Sequence, residues 1–230
     1  GEVRVTGRGH GEQWNPATGA IAPLPANGKA KLRLDPYGAT LLRYAKTEPA
    51  RRLPATSGGL PGVALRPLPD VKPVVGAGKF VRAELSGDAS RWRAVGTVTK
   101  SQVDTHLFLS FNFPQPVDLR GAEVLALDTW VPEGQTTPTE LLAILHDKQG
   151  NDYIARAGRS LNAAGSCRSF VLLSQFHLAG WSKDRDARLD LSAVAAIRIG
   201  WGGYLGTAGE KVDFATAPPQ LGRFAAQDDR

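Results

Sequence analysis

From residue 80 onward the chain consists of apolar and β-branched runs of five to eight residues, separated by turn residues about every ten positions. That spacing is the signature of an all-β domain built from short antiparallel strands. Nine strands are expected, over 80–85, 91–98, 106–113, 124–131, 140–145, 153–156, 169–173, 195–200 and 211–217. Helical periodicity is nearly absent, with room for one turn at 190–195. The fold class implied is an antiparallel two-sheet β-sandwich or jelly roll.

Two of these runs show which side chains face inward. In 107–113 the odd positions Leu107, Leu109, Phe111 and Phe113 are large and apolar while Ser110 and Asn112 are polar, so the odd set is directed to the core. In 124–131, Leu125, Leu127, Thr129 and Val131 share one face, and Val124, Ala126, Asp128 and Trp130 share the other. Trp130 with Asp128 two residues away makes a candidate sugar platform with a hydroxyl acceptor beside it; the same Trp would equally serve to close the sandwich edge.

The region before residue 80 has a different composition. Six of the 16 prolines lie between Pro49 and Pro73, and no aromatic residue occurs between Tyr44 and Phe80. This reads as a semi-extended linker. Earlier still, strand-like alternation at 1–6, 29–34 and 40–44 covers a stretch too short to bury much surface alone. The expected organisation is therefore four-part: residues 1–46 as the closing strands of a β-sandwich that begins upstream, 47–78 as a Pro/Gly-rich linker, 79–222 as the jelly roll, and 223–230 as a tail. The chain has no methionine and opens at Gly1, which fits a segment of a larger protein.

Charge and motif content narrow the function. The formal charge of +6 comes from 28 Lys+Arg against 22 Asp+Glu, of which residues 1–80 hold 12 and 5, leaving 16 and 17 for residues 81–230. The jelly roll thus carries a net −1, and the N-terminal cations are dispersed among prolines with no interleaved aromatics, so no nucleic-acid partner is expected. No run approaches the ~18 apolar residues of a spanning helix, so no membrane partner is expected either. A single cysteine, Cys167, excludes an internal disulfide and a multi-cysteine zinc cluster. His10, His106, His146 and His177 lack metal-ligand spacing. Asp184-Arg185-Asp186 is a weak calcium candidate, without the glycine and distal glutamate of an EF-hand loop; no cofactor is expected. The nucleophile-elbow, zinc-protease and phosphate-loop motifs are all missing, and no pair of acids is singled out for glycoside hydrolysis, so no catalytic residues are assigned.

What stands out instead is aromatic residues beside glycine and polar side chains. Trp201-Gly202-Gly203-Tyr204 follows the strand at 195–200; His146 opens a hairpin through Asp147-Lys148-Gln149-Gly150 to Tyr153 and Arg156; Ala179-Gly180-Trp181 adds a third exposed-looking Trp. Sugar rings offer a C–H face to an aromatic plane and hydroxyls to carboxylate, amide or guanidinium groups. The candidate carbohydrate-binding set is Asp128, Trp130, His146, Tyr153, Arg156, Trp181, Trp201 and Tyr204. Three alternatives stand beside it. Asp147-Lys148-Gln149-Gly150 is first of all a turn sequence. Trp201 continues the alternation of Ile197 and Ile199, which directs it into the core. A regular strand puts Tyr153 and Arg156 on opposite faces.

Two longer stretches carry a resemblance. Glu12-Gln13-Trp14-Asn15-Pro16-Ala17-Thr18-Gly19, followed by Leu32-Arg33-Leu34-Asp35-Pro36-Tyr37-Gly38-Ala39, resembles the closing β-sandwich of large bacterial glycoside hydrolases, notably α-L-rhamnosidase-like and family 2-like enzymes, with Asn15 where Asp is commoner. Residues 80–220, including Trp181-Ser182-Lys183-Asp184, Leu189-Asp190-Leu191, Trp201-Gly202-Gly203-Tyr204 and Gly209-Glu210-Lys211-Val212, are similar to the galactose-binding-like jelly rolls appended to such enzymes. The resemblance implies a non-catalytic accessory segment, periplasmic or extracellular, whose jelly roll binds an oligo- or polysaccharide or buttresses an upstream catalytic domain. A jelly-roll polysaccharide lyase and a purely structural spacer are the competing readings; the net −1 of residues 81–230 disfavours the basic groove a uronate lyase needs.

Overall fold

A computed structural model describes residues 2–7, 10–14, 21–25, 29–33, 40–45, 63–182 and 188–224. The chain divides into two compact units, Gly1–Gly62 and Val63–Arg230.

In the first unit five short strands form two small sheets. β1 (Glu2–Thr6) pairs with β4 (Lys29–Arg33), and β2 (His10–Trp14) lies between β3 (Ile21–Pro23) and β5 (Leu41–Ala45). The three runs anticipated from alternation are present, and β2 and β3 join them. Leu32 is the buried apolar side chain among the described residues here. The turn segments that carry the hydrolase-like motifs, 15–20 and 34–39, lie outside the described residues.

The second unit is an antiparallel β-sandwich of the jelly-roll kind. Its strands are β6 (Val63–Pro67), β7 (Val74–Ala77), β8 (Val81–Asp88), β9 (Arg91–Val98), β10 (Thr105–Val117), β11 (Val124–Val131), β12 (Glu140–Asp147), β13 (Asp152–Ser160), β14 (Gly165–Leu172), β15 (His177–Leu178), β16 (Val194–Tyr204), β17 (Lys211–Thr216) and β18 (Gln220–Phe224), with one 3-10 turn at Leu173–Gln175. Six strands run in the order β15-β13-β12-β16-β10-β7; the other sheet runs β6-β18-β11-β17-β9-β8, with β14 also paired to β11.

All nine anticipated strands are present, and in 107–113 and 124–131 alternation places the faces as expected. Leu107, Leu109 and Phe111 are at most 1% exposed, and Leu125, Leu127 and Val131 are fully buried. From the opposite sheet Trp201 lies over Gly96, where an added Cβ would fall 2.9 Å from its ring. The hairpin at Asp147 is also a turn as read: Gly150 adopts φ +92° and its N–H donates to the Asp147 carbonyl at 3.2 Å.

The segment read as linker needs correction over its second half. Residues 63–67 pair with β18, residues 74–77 pair with β10, and Leu68 joins the core. Both strands sit at the outer edge of their sheets, where Pro67 and the flanking prolines forfeit no ladder hydrogen bond. Prolines thus mark an edge strand here as they would mark a linker. The expected tail is shorter by two residues for the same reason, since Arg223 and Phe224 pair with Ala64 and Val63.

Candidate functional site

Over 107–113 on β10, 141–145 on β12, 153–157 on β13 and 197–201 on β16 the odd-numbered residues fill the core, and their even-numbered neighbours form the outer face of the six-stranded sheet. A groove of about 530 Å³ lies on that face, lined by Asp104, His106, Phe108, Leu142, Ile144, Asp152, Ile154, Trp181, Arg198, Gly202 and Gly203. Cross-strand register sets its layout. Phe108 is opposite Gly200, which is opposite Leu142; Arg198 is opposite Ile144, which is opposite Ile154; and His146 is opposite Asp152. The floor is therefore apolar, with His106 and Gly202 toward one end and the Asp152 group toward the other. Gly200 permits this floor to form: a Cβ there would lie 1.9 Å from the Leu107 carbonyl oxygen.

Asp152 organises its end of the groove. Trp181 Nε1–H donates to Oδ2 at 2.8 Å, Arg198 Nη1 donates to both oxygens at 2.9 Å, and His146 Nδ1 meets Oδ1 at 2.7 Å. The main chain is clamped as well: the Asp152 N–H donates to the Ser182 hydroxyl, which donates back to the Asp152 carbonyl, each at 3.1 Å, and the Ala179 N–H donates to that carbonyl at 2.8 Å. This turn holds Trp181 at the sheet edge with 58% of its surface exposed. A large aromatic side chain fixed in place and left in water is the arrangement a stacking platform requires.

Burial alone would raise the Asp152 carboxyl, but the hydrogen bonds from Trp181 and His146 and the Arg198 charge outweigh it and hold the group below its ordinary value of 3.8. A depressed carboxylate stabilises the fold fully above the unfolded value, and that contribution is lost as pH falls through the lower folded value. Thermal unfolding of wild type and Asp152→Asn across pH 2–6 is thus expected to show a gap at pH 5 that closes on the acid side of 3.8. A gap independent of pH would mean that charge at Asp152 does not contribute.

The eight sequence candidates separate. His146 and Trp181 meet at Asp152. Arg156 points to the same face, opposite Leu142, yet is paired with Glu140 at 3.1 Å. Tyr153 and Trp201 are corrections, being 2% and 0% exposed in the core, because each holds an inward position of a regular strand. Tyr204 is half-buried against the same core, edge-on to Trp201 at 6.4 Å. Its hydroxyl donates to Glu210 at 2.7 Å, and burial followed by that bond pushes its ionisation up to about 12.

Asp128 and Trp130 are also separated from the groove, on the outer face of the other sheet. Asp128 accepts from Arg168 Nε and Nη2, both at 2.6 Å, a bond that raises the guanidinium's affinity for its proton. Both partners are about a third exposed, so Arg168→Ala should cost at most ~1 kcal/mol by chemical denaturation and leave any ligand affinity of the groove unchanged. A loss of binding in that variant would move the site to the other sheet.

Sequence reading missed Asp152, Arg198, His106 and Phe108. For Arg198, His106 and Phe108 the available signal was their even position on strands whose odd positions already pointed to the core; Asp152 lies one residue before the strand expected over 153–156 and had no such signal. Among the described residues no cluster of His, Cys, Asp or Glu is arranged to hold a metal ion, and no helix is long and apolar enough to cross a membrane. Asp184 and Asp186 lie outside the described residues.

No family model matches this sequence, and no curated protein does. Among solved structures the chain is similar to the Family 11 carbohydrate-binding module of a cellulosomal cellulase of Clostridium thermocellum, with a TM-score of 0.51 at 11% identity over 69% of this chain and 94% of that one. A Family 11 module from the same organism in complex with a β-1,3-1,4-mixed-linked tetrasaccharide matches with a TM-score of 0.51 at 11% identity, covering 71% of this chain and 96% of that chain. At this identity the likeness establishes a shared jelly-roll fold.

Proposed function

We propose that this chain is a non-catalytic carbohydrate-binding segment that seats an oligo- or polysaccharide in the groove of the six-stranded sheet. The observation that carries the reading is Trp181, held by Asp152 and exposed beside an apolar floor. Its ring offers a stacking face, and Arg198, His106 and Asp104 offer polar contacts around it. The groove's 530 Å³ falls within the roughly 300–1,000 Å³ of small-ligand sites. The fold shared with a module bound to a mixed-linked tetrasaccharide supports the same reading. The chain then serves as an accessory part of a glycoside hydrolase, periplasmic or extracellular, beside an upstream catalytic domain.

The test is affinity gel electrophoresis of the 230-residue chain through gels containing mixed-linkage glucan, xylan, glucomannan, agar or pectin. Retardation by at least one polymer supports the proposal. Unretarded migration in every gel by a protein with folded near-ultraviolet dichroism overturns it and leaves the spacer role. Release of ultraviolet-absorbing unsaturated products from pectin would instead favour a lyase.

A further inference from the structure

Resting on the carbohydrate reading of the same groove, we propose that its Arg198 end selects sugars bearing an O-acetyl ester. The ester carbonyl accepts hydrogen bonds from Arg198, and the methyl lies on Ile154 and Leu142, above the buried Ile144.

Hydrogen-bond capacity sets this end of the groove apart. A carboxylate offers about four acceptor sites, and Asp152 spends four contacts within the protein: Trp181, His146 and Arg198 on both oxygens. It has none left for a sugar hydroxyl. Arg198 engages Asp152 only through Nη1, and among the described residues its Nε and Nη2 have no other hydrogen-bond partner, so they can donate into the groove it lines. Among the described residues that line the groove, this end therefore presents donors and no free acceptor. A hydroxyl placed here could accept but would leave its own proton unpaired over an apolar floor, which is costly.

The floor completes the match. Ile144 is opposite both Arg198 and Ile154, and Leu142 lies one outward position farther along β12. A ligand group that accepts at Arg198 then lays apolar surface on the half-buried Leu142 and Ile154. An acetyl ester has an acceptor oxygen, no donor and a methyl group within a few bond lengths of one another. Free hydroxyls of the same sugar chain are better served farther along, where Asp104 and His106 stand beside Gly202 and Gly203. The two ends of the groove thus ask for different substituents.

The experiment compares O-acetylated glucomannan with the same polymer after mild alkaline deacetylation, using the full chain in affinity gels. The acetylated polymer is expected to bind about tenfold tighter, a difference of roughly 1.4 kcal/mol. Ile154→Thr, which keeps a β-branched residue on the strand, is expected to narrow the ratio to below about threefold. Equal affinity, or tighter binding of the deacetylated polymer, overturns the acetyl assignment while leaving carbohydrate binding intact. A tenfold ratio that survives in Ile154→Thr also overturns it, since the methyl would then lie elsewhere. Failure of both polymers overturns it too, and reaches the carbohydrate reading itself only when the whole polysaccharide panel fails.

Discussion

Trp181→Ala is expected to weaken retention in whichever polysaccharide gel retards the wild-type chain by about 30-fold or more, with little change in unfolding temperature. The size follows from area: a sugar ring covering roughly 100 Å² of indole gains about 2–3 kcal/mol of apolar burial. The small stability effect follows from exposure, since 58% of the side chain is already in water and its single polar bond is to Asp152. Asp152→Asn should give a smaller loss of affinity with a larger loss of stability, because the amide can accept from Trp181 but leaves Arg198 without a countercharge. The two variants together separate the surface that touches ligand from the group that positions it. Trp181→Ala with wild-type retention would remove the platform from the proposed site.

The opposite pattern is expected at Trp201. Its side chain is fully buried, lies over Gly96 from the facing sheet and meets Tyr204 edge-on. Trp201→Ala should cost about 3–5 kcal/mol in denaturant unfolding, because the surrounding strands cannot close on the cavity. Trp201→Phe should cost much less, roughly 1–2 kcal/mol, partly because the indole Nε1–H finds no hydrogen-bond partner among the described residues and its removal loses no bond. The phenylalanine variant should bind as wild type does. A selective loss of binding in Trp201→Phe would restore that residue to the site and contradict its placement in the core.

These two tryptophans show what was legible beforehand. Period-2 alternation in 107–113, 124–131 and 195–200 predicts both the strands and the side chains that enter the core, because a strand can bury only alternate residues. The same rule, extended one step from Ile199, already directed Trp201 inward. It was less informative at the prolines near residues 63–77, where composition cannot separate an edge strand from a linker: neither uses the missing N–H.

By itself the sequence determined an all-β chain, the faces of the strands over 107–113 and 124–131, and a turn at Asp147–Gly150. The tertiary structure decided which strands lie side by side, and with that the site. Asp152 and Arg198 are 46 residues apart in the chain and meet because β12 lies between β13 and β16; Trp181 joins them because Ser182 ties its turn to the Asp152 main chain. Alternation is a local property of each strand, whereas register between distant strands is set by the packing of the whole sandwich.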